Sequence, residues 1–418
     1  MIAVENAHAK PPLEGVPAPE LGSRALFPSL EFEAYLAHAA ISPANLAVQR
    51  AVASCTESVA QLGTGAFPLW MAQRQRLREL VARLLNAASS DVTLSPGCTR
   101  GIADVALALP WRRGETLLSF VGEFPANIVP FQQAKDLYKG GLRLLPLADP
   151  RDADARTKLV AQVREAIQTA PATSPVRYLA VSAVQFQSGL AMPLADLSQL
   201  CQEHGVFLLV DAIQGCGVVP YDLHSLEIDA FFVGAHKWLL GLEGAGFFVT
   251  RAEFRERLRP RTAGWLSYQD SELFLFSGAG HLRYDRPLLD DGRMFEGSTA
   301  NAAGFAALEA GLAICEKLGP QAIFGHVQRY HDAIEPELAD RGFVSLRAVD
   351  PSLRSCSLSF VPPMDVEVGA LAKELRQRKV MISIPDGLVR IAPHFSNSLG
   401  EVPGLLAAFD EALSALRG

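Results

Sequence analysis

The chain lacks the signatures that would place it at a membrane, on a nucleic acid or around a metal. No run of about 18 apolar residues occurs, so nothing in it reads as a membrane-spanning helix. Residues 1–15 also lack the apolar centre that a secretory signal needs. Its cysteines, Cys55, Cys98, Cys201, Cys216, Cys315 and Cys356, are scattered, with no C-x-x-C pair and no zinc-site spacing. They fit the reduced, buried thiols of a cytoplasmic protein, with no metal centre expected. There is no surplus of positive charge either. A formal net charge of −7 argues against a nucleic acid or an acidic membrane as partner, while leaving a small phosphate-bearing molecule possible, because a few local donors can bind one. Internal repeats are missing, and the only biased stretch is a Pro- and Ala-rich arm at the start.

What remains describes a globular protein. At 418 residues, 49% hydrophobic and 20% charged, the chain can bury a sizeable core and has room for about two or three domains. Short apolar runs at 116–120, 177–184, 206–210 and 230–233 alternate with segments of helical periodicity such as 73–85. That alternation predicts an α/β fold with a mostly parallel central sheet covered by helices. The run 244–249 follows after a short turn and is expected to be antiparallel. The expected division is an N-terminal arm (1–30), a large domain (31–300), and a connecting helix with a smaller C-terminal α+β domain (301–418).

Asp211 and Lys237 are the most informative residues. Asp211 ends the run 206–210, and Lys237 follows the run 230–233 through Gly234-Ala235-His236. Two parallel strands would bring both side chains to one sheet edge, where α/β folds place ligands. A lysine amine can form a Schiff base with a cofactor aldehyde, and a carboxylate can keep a pyridine nitrogen protonated. Together they are what a pyridoxal 5′-phosphate (PLP) enzyme requires. Taken alone, the same pair would also describe an exposed lysine after a core strand, so the neighbouring motifs have to decide.

Those motifs are Val210-Asp211-Ala212-Ile213-Gln214 with His236-Lys237, Pro96-Gly97-Cys98-Thr99, Glu123-Phe124-Pro125-Ala126-Asn127, Glu296-Gly297-Ser298-Thr299-Ala300-Asn301 and Arg390-Ile391-Ala392. Their order over roughly residues 35–400 resembles the fold type I PLP enzymes, and within them the class V aminotransferase family. That family includes cysteine desulfurases, selenocysteine lyases, kynureninases and isopenicillin N epimerases. The resemblance implies that Lys237 carries the cofactor, Asp211 faces its ring nitrogen, Gln214 donates to its phenolic oxygen and His236 contacts its phosphate. It further implies a phosphate cradle at Cys98 and Thr99, with only the amide of Cys98 carried over, because a thiol donates weakly. Phe124 would stack on the ring where desulfurases usually have a histidine. Thr299 would reach the partner's phosphate across a homodimer interface. Arg390 would clamp the α-carboxylate of an amino-acid substrate. His38, in Tyr35-Leu36-Ala37-His38-Ala39-Ala40, and Gln185, near the position where desulfurases carry Asn and this chain has Ala183, are the further candidate substrate contacts.

The reaction is less legible. Desulfurases place a nucleophilic cysteine shortly before the carboxylate-binding arginine, and residues 364–388 contain none. Cys356 lies in an apparent strand, where packing is its expected role. The reading is therefore an aminotransferase-type enzyme, with a C–S or C–Se lyase lacking a catalytic cysteine, or an epimerase or other Cα/Cβ-modifying enzyme, as alternatives. A non-catalytic scaffold on the same fold would be expected to have lost Lys237 or Arg390, and both are present.

Overall fold

The computed structural model describes residues 12–418, so the start of the arm, residues 1–11, lies outside the described residues. Among the described residues twelve strands occur: β1 (Ala34–Tyr35), β2 (Val92–Ser95), β3 (Thr116–Phe120), β4 (Gly141–Leu145), β5 (Val176–Ser182), β6 (Phe207–Asp211), β7 (Ala230–Gly234), β8 (Gly246–Thr250), β9 (Val344–Ser345), β10 (Leu358–Val361), β11 (Val380–Met381) and β12 (Val389–Ile391). Seven of them form the central sheet, in the order β2-β8-β7-β6-β5-β3-β4. Every pairing in it is parallel except the two made by β8, which runs antiparallel to both β2 and β7. The α/β architecture expected from the sequence is the one observed, down to the antiparallel strand after Lys237.

The chemistry of the strands explains this placement. β6 and β7 read FLLVD and AFFVG and are almost wholly buried, as strands covered by helices on both faces must be. In register, Asp211 lies beside Ser182 of β5 and Phe232 of β7. The carboxyl ends of β2, β3, β5, β6 and β7 thus share one edge, and the loops leaving them build the site.

Among the helices, α1 (Leu46–Leu62) and α2 (Phe67–Leu85) pack against the helix Ala302–Leu318. That helix approaches the chain just after Lys237 very closely. A Cβ at Gly311 would lie 2.0 Å from the Leu239 carbonyl, so glycine permits the contact. The smaller C-terminal unit has its own sheet, β12-β10-β9, and its own core around Phe343, Leu371 and Phe409. Ala34 and Leu36 belong to that core, because β1 pairs with β11. The segment thus lies with the C-terminal unit, whereas the sequence reading counted residue 31 onward in the large domain. Among the described residues no helix is long and apolar enough to cross a membrane, and no group of metal-ligating side chains occurs.

Candidate active site

Lys237 sits three residues beyond β7, at the sheet edge that also carries Asp211. Its side chain is 9% exposed and makes no hydrogen bond or ion pair among the described residues. The Phe124 ring lies 5.6 Å from its Nζ. Burial draws the amine down to about 8, with the Asp211 carboxylate opposing that fall and the Arg390 guanidinium adding to it. The same three groups therefore share one electrostatic environment.

Asp211 is 2% exposed. Its Oδ1 accepts from the Ile213 amide (3.0 Å) and from the Cys98 thiol (3.2 Å), while no protein donor reaches Oδ2 among the described residues. Burial raises its pKa, against the pull of those two donors and of Lys237. A buried carboxylate with one oxygen held and one free is suited to a cationic ring N–H. Cys98 lies at the first turn of α3 (Cys98–Ala108), whose N-cap, Gly97, provides no side-chain cap. The first-turn amides there, including those of Cys98 and Thr99, form an open anion cradle. A Cβ at Gly97 would meet no atom within 4 Å, so the space beside the helix end is free. Thr99 is exposed at that end. His236 is half-buried, its pKa lowered by burial and then by Lys237.

Arg390 comes from the small unit, on β12. It is 4% exposed, yet no carboxylate lies within ion-pair reach among the described residues. Its Nε donates to Ser383 Oγ (3.0 Å) and its Nη1 to the Phe186 carbonyl (2.6 Å), leaving Nη2 for a ligand. Burial lowers its pKa to about 10. A buried guanidinium held by neutral acceptors is incomplete without an anion.

The other candidates are placed as follows. Gln214, 5% exposed, donates through Nε2 to the Ala39 carbonyl (3.1 Å) and accepts at Oε1 from Trp238 Nε1 (3.2 Å). Gln185 donates to Glu123 Oε1 (2.9 Å), leaving its own buried Oε1 without a partner. His38 is 1% exposed, with Nδ1 on the Ala392 carbonyl (3.2 Å) and its ring between Tyr35 and Trp238. The next residue, Ala39, supplies the carbonyl that accepts from Gln214. Thr299 is exposed, in the segment before the helix that Asn301 caps. Cys356 is fully buried and donates to the Gln214 carbonyl (3.1 Å), and burial pushes its thiol well up, so it is neither accessible nor ionised.

Three features escaped the sequence reading. One is the thiol of Cys98 turned onto Asp211. Another is Glu123, a buried carboxyl that accepts from Asn127, Gln185 and both the amide and hydroxyl of Ser182. It anchors the loop presenting Phe124. The last is Trp238 as a partner of Gln214. Only the Glu123-x-x-x-Asn127 spacing left a local trace.

Residues 35–389 match the family model described as aminotransferase class-V. An uncharacterised aminotransferase, YcbU, of Bacillus subtilis is 24% identical over 91% of this chain and 94% of its own length. A probable cysteine desulfurase of Pyrococcus abyssi is 25% identical over 81% of this chain and 83% of its own length. In structure, a variant of the cystine C–S lyase C-DES with glycine covalently linked to its PLP cofactor superposes with a TM-score of 0.81. It is 21% identical, over 93% of this chain and 98% of that one.

Proposed function

The chain belongs to the aminotransferase class-V family, whose enzymes use pyridoxal 5′-phosphate, and we propose that it transaminates an α-amino acid with Lys237 as its single proton carrier. The open donors of α3, the half-occupied Asp211 carboxylate and the unpartnered Lys237 amine fit that cofactor. When bound, PLP supplies an electron sink that makes the α-hydrogen of an amino acid acidic. In this reading Asp211 holds the ring N–H, α3 holds the phosphate, and Arg390 Nη2 takes the substrate carboxylate. Lys237 Nζ removes the proton from the substrate Cα.

One observation carries the choice of reaction, namely Phe124 beside the Lys237 amine. A phenyl ring can stack but cannot move a proton, so the burden of proton transfer falls on Lys237. Its amine, drawn down to about 8, is partly neutral near pH 7 and able to act as a base. Transamination needs one such group, as does loss of a good leaving group such as a thiolate, whereas expelling a poor one needs a second, acidic group, so the phenyl ring disfavours that last route. A persulfide route is disfavoured by the burial of Cys356.

The test is incubation of the holoenzyme with a panel of amino acids. Transamination yields a keto acid without free ammonia and needs a second keto acid to turn over. Release of ammonia with pyruvate and thiol would establish the lyase instead.

We also propose a cytoplasmic homodimer with a shared site. The exposed Thr299 segment and the exposed Phe276, Leu282 and Tyr284 nearby in sequence support the dimer, and the absence of disulfides among the described residues suits the cytoplasm. An active monomer in sedimentation would overturn the shared site.

A further inference from the structure

The hydrogen-bonding roles around Gln214 can be assigned without seeing hydrogens. An indole N–H only donates, so the Gln214 atom facing Trp238 Nε1 at 3.2 Å has to be the amide oxygen. A carbonyl only accepts, so the atom facing Ala39 O at 3.1 Å has to be the amide nitrogen. Each contact alone would fix the orientation of a side chain that is otherwise easily read either way round. The nitrogen has a second proton, and among the described residues no protein acceptor takes it.

Trp238 is itself immobilised. It is fully buried, with the imidazoles of His38 and His394 packed on it at ring distances of 6.5 and 5.8 Å and interplanar angles of 29° and 30°. Its carbonyl accepts from His394 Nε2 (3.0 Å) and, more weakly, from the Cys315 thiol (3.7 Å). The backbone of Gln214 is tied as well, its carbonyl accepting from Cys356. Both imidazoles are kept neutral by burial, His394 at about 4 and His38 lowered strongly, and burial raises the thiols of Cys315 and Cys356. None of these four groups therefore changes its charge between pH 6 and 9; the adjoining Lys237 amine, at about 8 in the cofactor-free protein, is the neighbour that does.

We infer that Trp238 is a positioning residue that locks the Gln214 amide with its N–H toward the cofactor's phenolic oxygen. This rests on the proposed use of pyridoxal 5′-phosphate at this site and on the donor role that the family resemblance implies for Gln214. Without the indole N–H the amide is held by the Ala39 carbonyl alone and aims its second N–H less firmly. A donor on an anionic oxygen favours the ionised form, so the locked amide lowers the pH at which the bound cofactor loses its proton.

The experiment is a pH titration of the visible absorption band of the holoenzyme in wild type, Trp238→Phe, Gln214→Met and the double variant. Trp238→Phe keeps an aromatic ring against the two imidazoles, which also pack on each other at 5.3 Å. Benzothienylalanine at 238, with sulfur in place of N–H, keeps the full bicyclic shape should phenylalanine fail to fold. Gln214→Met is expected to raise the midpoint by about one pH unit, a tenfold change in proton affinity, Trp238→Phe by a smaller resolvable step in the same direction, and the double variant by no more than Gln214→Met alone. If Gln214→Met shifts the midpoint while neither indole replacement does, the lock is refuted and the donor role stands. If Gln214→Met leaves it unmoved, the donor role falls, and the lock falls with it. Additive shifts would also refute the lock, because Trp238 would then act other than through Gln214.

Discussion

Replacing Lys237 by methionine should stabilise the cofactor-free protein while abolishing its activity. The amine is buried, and its pKa in the folded protein is about 8 against an ordinary 10.5, burial being the main cause. Below pH 8 the lysine is charged in both folded and unfolded chains, and the native state bears the full penalty. That penalty is about 3 kcal/mol at about 1.4 kcal/mol per pH unit. Between pH 8 and 10.5 the unfolded chain binds more protons than the folded one, so wild-type stability climbs with pH. Above 10.5 the penalty is gone. Methionine fills a similar volume and does not titrate. Urea unfolding of both proteins stripped of cofactor should therefore give the variant about 3 kcal/mol at pH 7, about 2 at pH 9 and almost nothing at pH 10.5. The difference between the curves reports residue 237 together with the groups its charge acts on, chiefly Asp211 and His236. A variant no more stable than wild type at pH 7, or a difference independent of pH, would refute the reasoning that desolvation holds the amine down. The strain matters to function because the same environment makes the amine a base near neutrality.

Two further outcomes follow from the same geometry. Arg390→Lys removes the forked donor set that Ser383 and Phe186 hold in place. It should raise KM for amino acids roughly 10- to 100-fold, the loss of one or two charge-assisted hydrogen bonds, while leaving the visible cofactor spectrum in place; a preference of the wild type for amines without a carboxylate would remove the clamp from the account. Cys356→Ala deletes a fully buried thiol and should cost about 1–2 kcal/mol of stability with kcat changed less than about twofold; loss of activity in a well-folded variant would restore a cysteine-dependent mechanism.

How much of this could be read from the sequence depends on what kind of constraint each residue obeys. Asp211 and Lys237 were legible because each follows an apolar run whose length and burial force a strand, and the strand ends fix where the side chains arrive. Arg390 stood out as a type, since the carboxylate clamp proposed for it needs a fork of donors. Its holders were not, because Phe186 is 204 residues away and offers only a carbonyl, which every residue has. The same applies to the thiol of Cys98 on Asp211 across 113 residues, and to Ala39 beneath Gln214 across 175. Ala34 and Leu36 read as the start of the large unit because apolar residues do not announce which core they join; only their pairing with Val380 and Met381 assigns them. Chemistry thus constrains residue type at the groups that touch the cofactor or substrate, and the sequence carries that information locally. Orientation is set instead by backbone carbonyls, a thiol and an indole whose identities admit many other roles. Errors of the two kinds have different consequences. Losing Lys237 would remove the proposed reaction, whereas losing Trp238 would leave every proposed reacting group present with the Gln214 amide held by one hydrogen bond in place of two, a defect visible in the cofactor's titration before it is visible in the fold.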